Sequence, residues 1–392
     1  MNTLPLLELD QYKHVFVGRK NEDWLIAVGN NKDDISGTKQ DSWMFGHITY
    51  DYKNEIEALK SKQQSSFQFA NLSFFQPEVV VLLKSNGIEI LHSSNPALEK
   101  KLISALSKRA LLNSDNPNSR KIVDLTTKEE YLQNVRKLLN HIQQGDIYEI
   151  NYCIGFRYNG TIDPYATFSK LWELTEAPFS CLYKRNNQFV LCASPERYIC
   201  KTGSTLISQP IKGTAARSEN KEVDIQHKKE LQSNAKERAE NIMIVDIVRN
   251  DLSRIARRGS VHVPELCEVY SYKTVHQMIS TVACELKPDV TFKDIIHATF
   301  PMGSMTGAPK IRAMQLADQY ENFQRGIYSG TIGYIQPNGD CDFNVVIRAI
   351  VYDREKQIAE LYAGSAITAN SNPEKEYEEC LLKAQSMIRA LN

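Results

Sequence analysis

One lysine, Lys212, stands in a short string of small and apolar residues that could bring it close to a ligand. The string is Pro-Ile-Lys-Gly-Thr at 210–214, which reads as a tight turn after the apolar residues Leu206 and Ile207. A lysine is normally a hydrated cation, and it becomes a nucleophile only when burial or a neighbouring positive charge keeps it neutral. Alone, Lys212 is more typical of an exposed loop lysine. Its interpretation therefore depends on the other reactive side chains.

Two pairs of glutamates have the spacing that places both members on one face of a helix. Glu237 and Glu240 are three residues apart in one predicted helix, and Glu376 and Glu379 are three apart in another. Each pair alone is more typical of a solvated helix face. If the two pairs converged, a hard divalent cation such as Mg²⁺, which prefers oxygen ligands, would remove their repulsion. The sequence does not show that the two helices meet.

A glycine-containing string at 303–310 resembles a phosphate-binding loop but fails its pattern. Pro309 stands where the second glycine is required, and Ile311 follows the lysine. Backbone N–H groups leading into a helix predicted at 310–320 could still bind a carboxylate, although a plain loop is an equal alternative. Arg348 lies in the apolar run 345–350. A buried arginine requires either a protein carboxylate or an anionic ligand beside it, and the sequence leaves both alternatives open.

The hydrophobic pattern predicts strands and long helices without regular alternation, which indicates an α+β fold. A polar break at 113–119 divides the chain into an N-terminal region, 1–118, and a second region, 119–392. A helix is predicted to begin after the capping residue Thr127, and the last helix to begin at Asn372-Pro373. Strands are predicted at 24–28, 78–83, 179–183, 188–193, 197–200, 327–335, 343–352 and 357–363, and further helices at 96–112 and 223–249.

Composition excludes several classes of partner and site. The formal net charge is zero, with 47 basic and 47 acidic residues, so neither a nucleic acid nor a membrane is expected as a partner. The cysteines form no C-x-x-C pair, which argues against a structural zinc or iron–sulfur site. The first residues lack an export signal, and together with the cysteine pattern they predict a cytoplasmic location.

Several strings, taken together and in order, resemble those of the chorismate-utilising enzymes. The similarity covers 127–392 and is weaker before it, where it rests on 46–52. The strings are GDIY at 145–148, SPER at 194–197, PIKGT at 210–214, ERAEN at 237–241, VDIVRND at 245–251, GSMTGAPK at 303–310, IR at 347–348 and EYEECLLK at 376–383. The resemblance implies the anthranilate synthase component I-like fold, in which antiparallel β-sheets form a sandwich with helices packed outside.

Within that family, the middle residue of PIKGT separates the activities. A lysine there, as at Lys212, implies the aminodeoxychorismate synthase component I branch, which converts chorismate and ammonia to 4-amino-4-deoxychorismate through a lysine adduct at C2. Glu149 occupies the place where isochorismate and salicylate synthases carry a lysine that activates water, so addition of water is disfavoured. Amine-adding members carry a glutamine there, and the resemblance gives no role for Glu149.

The resemblance also implies a role for each candidate site residue. Lys212 is the expected nucleophile, which a nearby cation would help to keep neutral, and Glu196 is the expected general acid. Mg²⁺ is the expected cofactor, with Glu240 and Glu379 as direct ligands and Glu237 and Glu376 acting through water. The expected substrate-binding residues are His276, Thr306, Tyr328, Arg348, Gly364 and Lys383.

The resemblance implies a partner as well as a substrate. A separate glutamine amidotransferase subunit is expected to supply ammonia, because this chain has no Gly-x-Cys-x-Gly string of the kind such a subunit uses. Two alternatives stay open. One is anthranilate synthase component I, with Lys212 an incidental variant, and the other is a non-catalytic relative that binds chorismate or an amidotransferase.

Overall fold

A computed structural model describes residues 6–30, 41–61, 63–107 and 122–392 of the chain. The strands are β1 (His14–Lys20), β2 (Asp23–Gly29), β3 (Met44–Ile48), β4 (Leu72–Phe75), β5 (Val79–Lys84), β6 (Gly87–Ser93), β7 (Ile122–Asp124), β8 (Glu149–Asn159), β9 (Phe179–Arg185), β10 (Gln188–Ser194), β11 (Arg197–Thr202), β12 (Thr205–Gln209), β13 (Ile211–Ala216), β14 (His262–Ser271), β15 (Val275–Glu285), β16 (Gly307–Ala308), β17 (Thr331–Ile335), β18 (Cys341–Asn344), β19 (Ala349–Asp353) and β20 (Ile358–Thr368). The α-helices are α1 (Lys53–Ile56), α2 (Pro96–Leu106), α3 (Lys128–Gln143), α4 (Pro164–Thr175), α5 (Lys221–Ser233), α6 (Ala235–Ser253), α7 (Phe292–Thr299), α8 (Lys310–Tyr320) and α9 (Pro373–Leu391). Short 3₁₀ turns occupy Leu6–Gln11, Tyr50–Tyr52 and Gly303–Met305.

The strands form two antiparallel sheets. The larger has 11 strands in the order β16-β8-β20-β19-β10-β9-β1-β2-β5-β6, with β7 paired to β8. The smaller has 9 strands in the order β13-β15-β12-β11-β18-β17-β3-β4, with β14 paired to β15. Strand β1 pairs with β9, and β3 pairs with β17, so strands from before residue 108 continue both sheets. The expected boundary at 113–119 lies outside the described residues, and the division into 1–118 and 119–392 stays a prediction.

Alternating side chains along the strands divide the apolar core into layers, because successive residues of a strand face opposite sides of its sheet. In β1, Val15 and Val17 face one cluster that includes residues of α3, α4 and α9, while Phe16 faces another. Phe45 and Phe75 of the smaller sheet join Phe16 in that second cluster, which fills the space between the sheets. Residues of α6 and α7 cover the outer face of the smaller sheet. This arrangement confirms the α+β sandwich with helices outside.

Helix starts follow their capping residues closely. The side chain of Thr127 accepts a hydrogen bond from the N–H of Glu130 at 3.2 Å, which caps α3, and that of Asn372 accepts from Lys375 at 3.0 Å, which caps α9. Helix α8 spans the predicted 310–320. Helix α2 ends at Leu106, and of the predicted 96–112 the part from 108 onward lies outside the described residues.

Three local predictions were wrong. The predicted helix at 223–249 is two helices, because Asn234 adopts an extended conformation and its side chain caps α6 through the N–H of Glu237. The predicted strand at 343–352 is two strands in different sheets, β18 and β19. Lys212 does not lie in a turn but in the edge strand β13. The hydrophobic pattern of the sequence does not show the break at Asn234, the change of sheet between β18 and β19, or the pairing of β13 with β15.

Candidate active site

A cavity of about 470 Å³ lies where the chain passes from one sheet to the other. Pro195 and Glu196 connect β10 of the larger sheet to β11 of the smaller, and residues 345–348 connect β18 of the smaller to β19 of the larger. The carbonyl oxygen of Glu196 accepts a hydrogen bond from the N–H of Val345 at 3.0 Å, so the two crossings lie side by side. Both crossings line the cavity, together with strand β13, the start of α6 and the length of α9.

A β-bulge directs Lys212 into this cavity. Ile211 pairs with Ile279 of β15 and Thr214 pairs with Gln277, so three steps along β13 match two along β15. Bulges of this kind change the direction of a side chain and are common next to active sites. Gly213 completes the bulge with φ of +91°, and a Cβ there would lie 3.1 Å from a carboxylate oxygen of Glu237. The glycine after the lysine is therefore required by the backbone and by a close neighbour.

Lys212 forms an ion pair with Glu149 at the inner end of the cavity. Its Nζ donates a hydrogen bond of 2.6 Å to Oε1 of Glu149, whose side chain is 1% exposed. Burial lowers the pKa of Lys212, but the charge and hydrogen bond of Glu149 outweigh that effect and hold the pKa above its ordinary value. This arrangement favours the ammonium form of Lys212, and the expectation that a nearby cation keeps the amine neutral stays a prediction.

Glu196 is a buried carboxyl group that faces the same cavity. Burial raises its pKa to about 7, against the lowering influence of the nearby positive charge of Lys212. A carboxyl group with that pKa is about half protonated at neutral pH, which suits a general acid. The sequence prediction of an acid at this position therefore has a physical basis in the structure.

Arg348 has the backbone and the environment of a ligand-binding residue. Its φ is +51°, a left-handed conformation that is uncommon for residues other than glycine and that occurs often at functional sites. Within the described part of the chain, its guanidinium group forms no hydrogen bond and no ion pair, although it lines the cavity. Of the two alternatives left open by the sequence, this arrangement favours an anionic ligand over a protein carboxylate.

The four predicted metal-binding glutamates, Glu237, Glu240, Glu376 and Glu379, all line the cavity, from helices α6 and α9. Burial raises the pKa of Glu240 to about 7, and no described residue donates a hydrogen bond to its buried Oε1. The ammonium group of Lys236 lies 3.7 Å from one oxygen each of Glu240 and Glu376.

These carboxylates fit a hard cation in their chemistry, since every atom that would bind the metal is an oxygen. They do not form a preassembled metal cluster. Among the described residues, no three His, Cys, Asp or Glu side chains lie close enough together to hold a metal ion. Two lysines supply positive charge beside these carboxylates. Lys236 lies near Glu240 and Glu376, and Nζ of Lys383 lies 2.5 Å from Glu379.

Three further predicted substrate-binding residues line the cavity: Tyr328, Gly364 and Lys383. The ring of Tyr328 stacks on that of Tyr362, with centroids 5.1 Å apart. A Cβ at Gly364 would lie 2.8 Å from the sulfur of Cys153, so a side chain does not fit there. The carbonyl oxygen of Gly364 accepts a hydrogen bond from Nζ of Lys383 at 2.9 Å, which joins α9 to β20.

His276 and Thr306 lie behind the cavity wall, and their expected role in substrate binding stays a prediction. Alternation along β15 directs Val275 and Gln277 to the cavity, while the ring nitrogens of His276 lie 3.0 Å from Asp224 and 2.9 Å from Ser271. The hydroxyl group of Thr306 lies 3.2 Å from the carbonyl oxygens of Met302 and Gly303, to which it donates. Both side chains therefore already have protein partners.

Sequence reasoning missed two charged residues of this region. Lys236 was not among the candidate residues, although its contact with Glu240 follows from the i, i+4 spacing. Its contact with Glu376 depends on the approach of two helices and leaves no local signal. Glu149 was identified without a role, and its contact with Lys212 joins strands of different sheets.

The arrangement of the sheets and the cavity agrees with comparisons to known proteins. A family model for chorismate binding enzymes matches residues 10–389, and the chain belongs to this family. Among its relatives are a probable chloroplastic aminodeoxychorismate synthase of Oryza sativa subsp. japonica and aminodeoxychorismate synthase component 1 of Bacillus subtilis (strain 168). The rice protein is 36% identical over 385 residues, which are 88% of this chain and 43% of the rice protein. The Bacillus protein is 33% identical over 359 residues, which are 88% of this chain and 76% of the Bacillus protein.

A solved structure shares the fold. Anthranilate synthase component I from Streptococcus pneumoniae TIGR4 matches with a TM-score of 0.77 and 24% identity, over 96% of this chain and 90% of that chain. The present chain spans less than half the length of the rice relative. No helix among the described residues has the length and apolar character needed to cross a membrane.

Proposed function

We propose that this chain is an aminodeoxychorismate synthase component I, which converts chorismate and ammonia to 4-amino-4-deoxychorismate. The observation that carries the proposal is the bulged lysine Lys212, which projects into the same cavity as the buried carboxyl group of Glu196 and the guanidinium group of Arg348. A nucleophile, an acid and an anion-binding group are the three functions that the substitution at C4 requires. The names of the rice and Bacillus relatives support this reaction.

The hydroxyl group at C4 of chorismate is a poor leaving group, so its departure requires protonation. Arg348 binds a carboxylate of the substrate through its guanidinium group. The neutral amine of Lys212 attacks C2, the ring double bonds shift, and Glu196 donates its proton to the C4 hydroxyl group, which leaves as water. Ammonia then attacks C4, the double bonds shift back, the bond from C2 to Lys212 breaks, and the new ammonium group at C4 returns a proton to Glu196. Two easier substitutions thereby replace one difficult one.

Mg²⁺ is part of the proposal, with Glu240 and Glu379 as direct ligands and Glu237 and Glu376 holding it through water. A bound Mg²⁺ supplies positive charge that stabilises an anionic substrate and its developing negative charge. Binding also offsets the cost of the buried oxygen of Glu240 that has no donor. Because Lys236 already lies between Glu240 and Glu376, its ammonium group has to move or share these oxygens.

The partner and the location are proposed on separate grounds. The component 1 name of the Bacillus relative supports a second component, which we propose to be a glutamine amidotransferase that supplies ammonia. A cytoplasmic location rests on the sequence, whereas the rice relative is named chloroplastic.

The decisive experiment is product analysis after incubation with chorismate, MgCl₂ and a high concentration of an ammonium salt. Chromatography with mass detection should give 4-amino-4-deoxychorismate, and the Lys212→Ala variant should lose it by at least about 1,000-fold. Anthranilate and pyruvate as products would instead support anthranilate synthase, the alternative that the fold of the Streptococcus structure keeps open. Binding of chorismate without turnover, with and without an amidotransferase, would support a non-catalytic role.

A further inference from the structure

The ion pair between Lys212 and Glu149 poses a chemical problem for the proposed function, on which the following inference rests. A lysine that attacks carbon must first lose a proton, because the ammonium form has no lone pair. Oε1 of Glu149 lies 2.6 Å from Nζ and is the acceptor of the hydrogen bond that Nζ donates. The side chains are 10% and 1% exposed, so bulk water has little access to either group.

The second carboxylate oxygen of Glu149 is unusual. Oε2 is buried and has no hydrogen-bond partner among the described residues. A buried carboxylate oxygen without a donor costs free energy, which makes Glu149 less favourable as a charged group. The backbone of Glu149 is held on both sides, by Ala308 of β16 and by Thr368 of β20, so the carboxylate is fixed in front of Lys212. A rigid acceptor whose Oε1 is held at hydrogen-bond distance from Nζ is suited to receive its proton.

The other acidic groups near Lys212 are less suited to this task. Glu196 and Glu240 both act on Lys212 through their charge. Glu196 must carry a proton to the leaving hydroxyl group, so it has no site for a second one. Glu240 is a candidate metal ligand and lies among positive charges from Lys236. Only Glu149, of the described residues, accepts a hydrogen bond from Nζ.

We propose that Glu149 is the base that takes a proton from Lys212 and so generates the nucleophilic amine. The proton moves from Nζ to Oε1, leaving a neutral amine beside a neutral carboxylic acid. The amine forms the bond to C2 of chorismate while the C4–O bond breaks, and the new secondary amine carries one positive charge. When ammonia has formed its bond to C4 and the C2–N bond has broken, the new ammonium group at C4 returns a proton to Glu196. The carboxylic acid of Glu149 returns its proton to Lys212, and the lysine–glutamate pair is restored. Atoms and charge balance over the cycle.

Substitution of Glu149 by glutamine separates this role from that of a passive ion pair. Without the negative charge of Glu149, the pKa of Lys212 should fall and a larger fraction of the lysine should be neutral. If the ion pair only held Lys212 in its protonated form, the substitution would therefore leave kcat unchanged or raise it. If Glu149 is the base, Glu149→Gln should lower kcat by about 100-fold or more, since a glutamine side chain cannot accept the proton. The KM for chorismate should stay within about 2-fold, and Glu149→Asp should restore part of kcat.

The assay uses the full chain with chorismate, MgCl₂ and an ammonium salt, and trace acetylation with mass spectrometry measures the reactivity of Lys212 against pH. Asp10→Asn is the matched control, because Asp10 accepts a hydrogen bond from Lys184 at 3.1 Å and neither residue lines the cavity. It should keep the wild-type kcat. A wild-type kcat in Glu149→Gln, with Lys212→Ala inactive, would overturn this inference alone. Turnover in Lys212→Ala, or no aminodeoxychorismate from the wild type, would overturn the proposed function and this inference with it.

Discussion

The buried carboxyl group of Glu196 should make the protein less stable as the pH rises, and Glu196→Gln should remove that effect. Burial raises the pKa of Glu196 from 4.5 to about 7, a difference of about 2.5 units, or about 3 kcal/mol at 1.36 kcal/mol per unit. The folded state holds the proton of Glu196 more tightly than the unfolded state does. The contribution of this proton to the free energy of unfolding is therefore fully present below pH 4.5. It is lost as the pH rises through 7.

Relative to the wild type, the free energy of unfolding of Glu196→Gln should therefore be slightly higher at low pH and much higher at high pH. By proton linkage, the gain in the free energy of unfolding is about 1 kcal/mol at pH 5 and about 3 kcal/mol at pH 8. Urea unfolding followed by circular dichroism at both pH values measures it, with Glu268→Gln on the exposed face of β14 as the control. The same variant should lose about 100- to 10,000-fold in kcat. A gain that is equal at pH 5 and pH 8 would show that the carboxyl group is not strained by burial and would refute the reasoning.

Further perturbations test the rest of the site. Arg348→Ala should raise the KM for chorismate by about 10- to 100-fold in steady-state kinetics, since a charged hydrogen bond contributes about 1.5–3 kcal/mol; an unchanged KM would exclude it from substrate binding. Gly213→Ala should lower the free energy of unfolding by about 1–3 kcal/mol in urea, because of its φ of +91° and the nearby oxygen of Glu237. Lys236→Met should lower the Mg²⁺ concentration that gives half-maximal activity by about 5-fold, because a half-exposed ion pair contributes about 1 kcal/mol. Chelation of divalent cations by EDTA should abolish turnover and added MgCl₂ should restore it; turnover in the chelator would contradict the cofactor proposal.

The sequence predicted best those features that depend on residues close together in the chain. The caps at Thr127 and Asn372 act within three residues, and the helix at 310–320 has the predicted bounds. Features that depend on two distant segments were missed. The bulge at Lys212 depends on its pairing with β15, and an apolar run around Arg348 gives no sign that the chain changes sheets there.

The candidate site divides in the same way. Residue types and spacing indicated the glutamate pairs, and the structure brings both pairs to one cavity. The orientation of His276 depends on which face of β15 meets the cavity, and the alternation of a strand with two buried faces gives no sign of that choice. The ion pair between Lys212 and Glu149 could not be predicted from the sequence either, because the two residues lie in strands of different sheets.

The shared sheets have a consequence for how the chain can be divided. Strand β1 covers the edge of β9, and β3 covers the edge of β17. If residues before 108 were cut away, both edges would present unpaired N–H and C=O groups in the middle of what are now continuous sheets. Exposed edges of this kind recruit strands from other molecules and cause aggregation. Residues 122–392 carry every proposed catalytic side chain, yet expressed alone they should aggregate, because the earlier strands cover both of these edges.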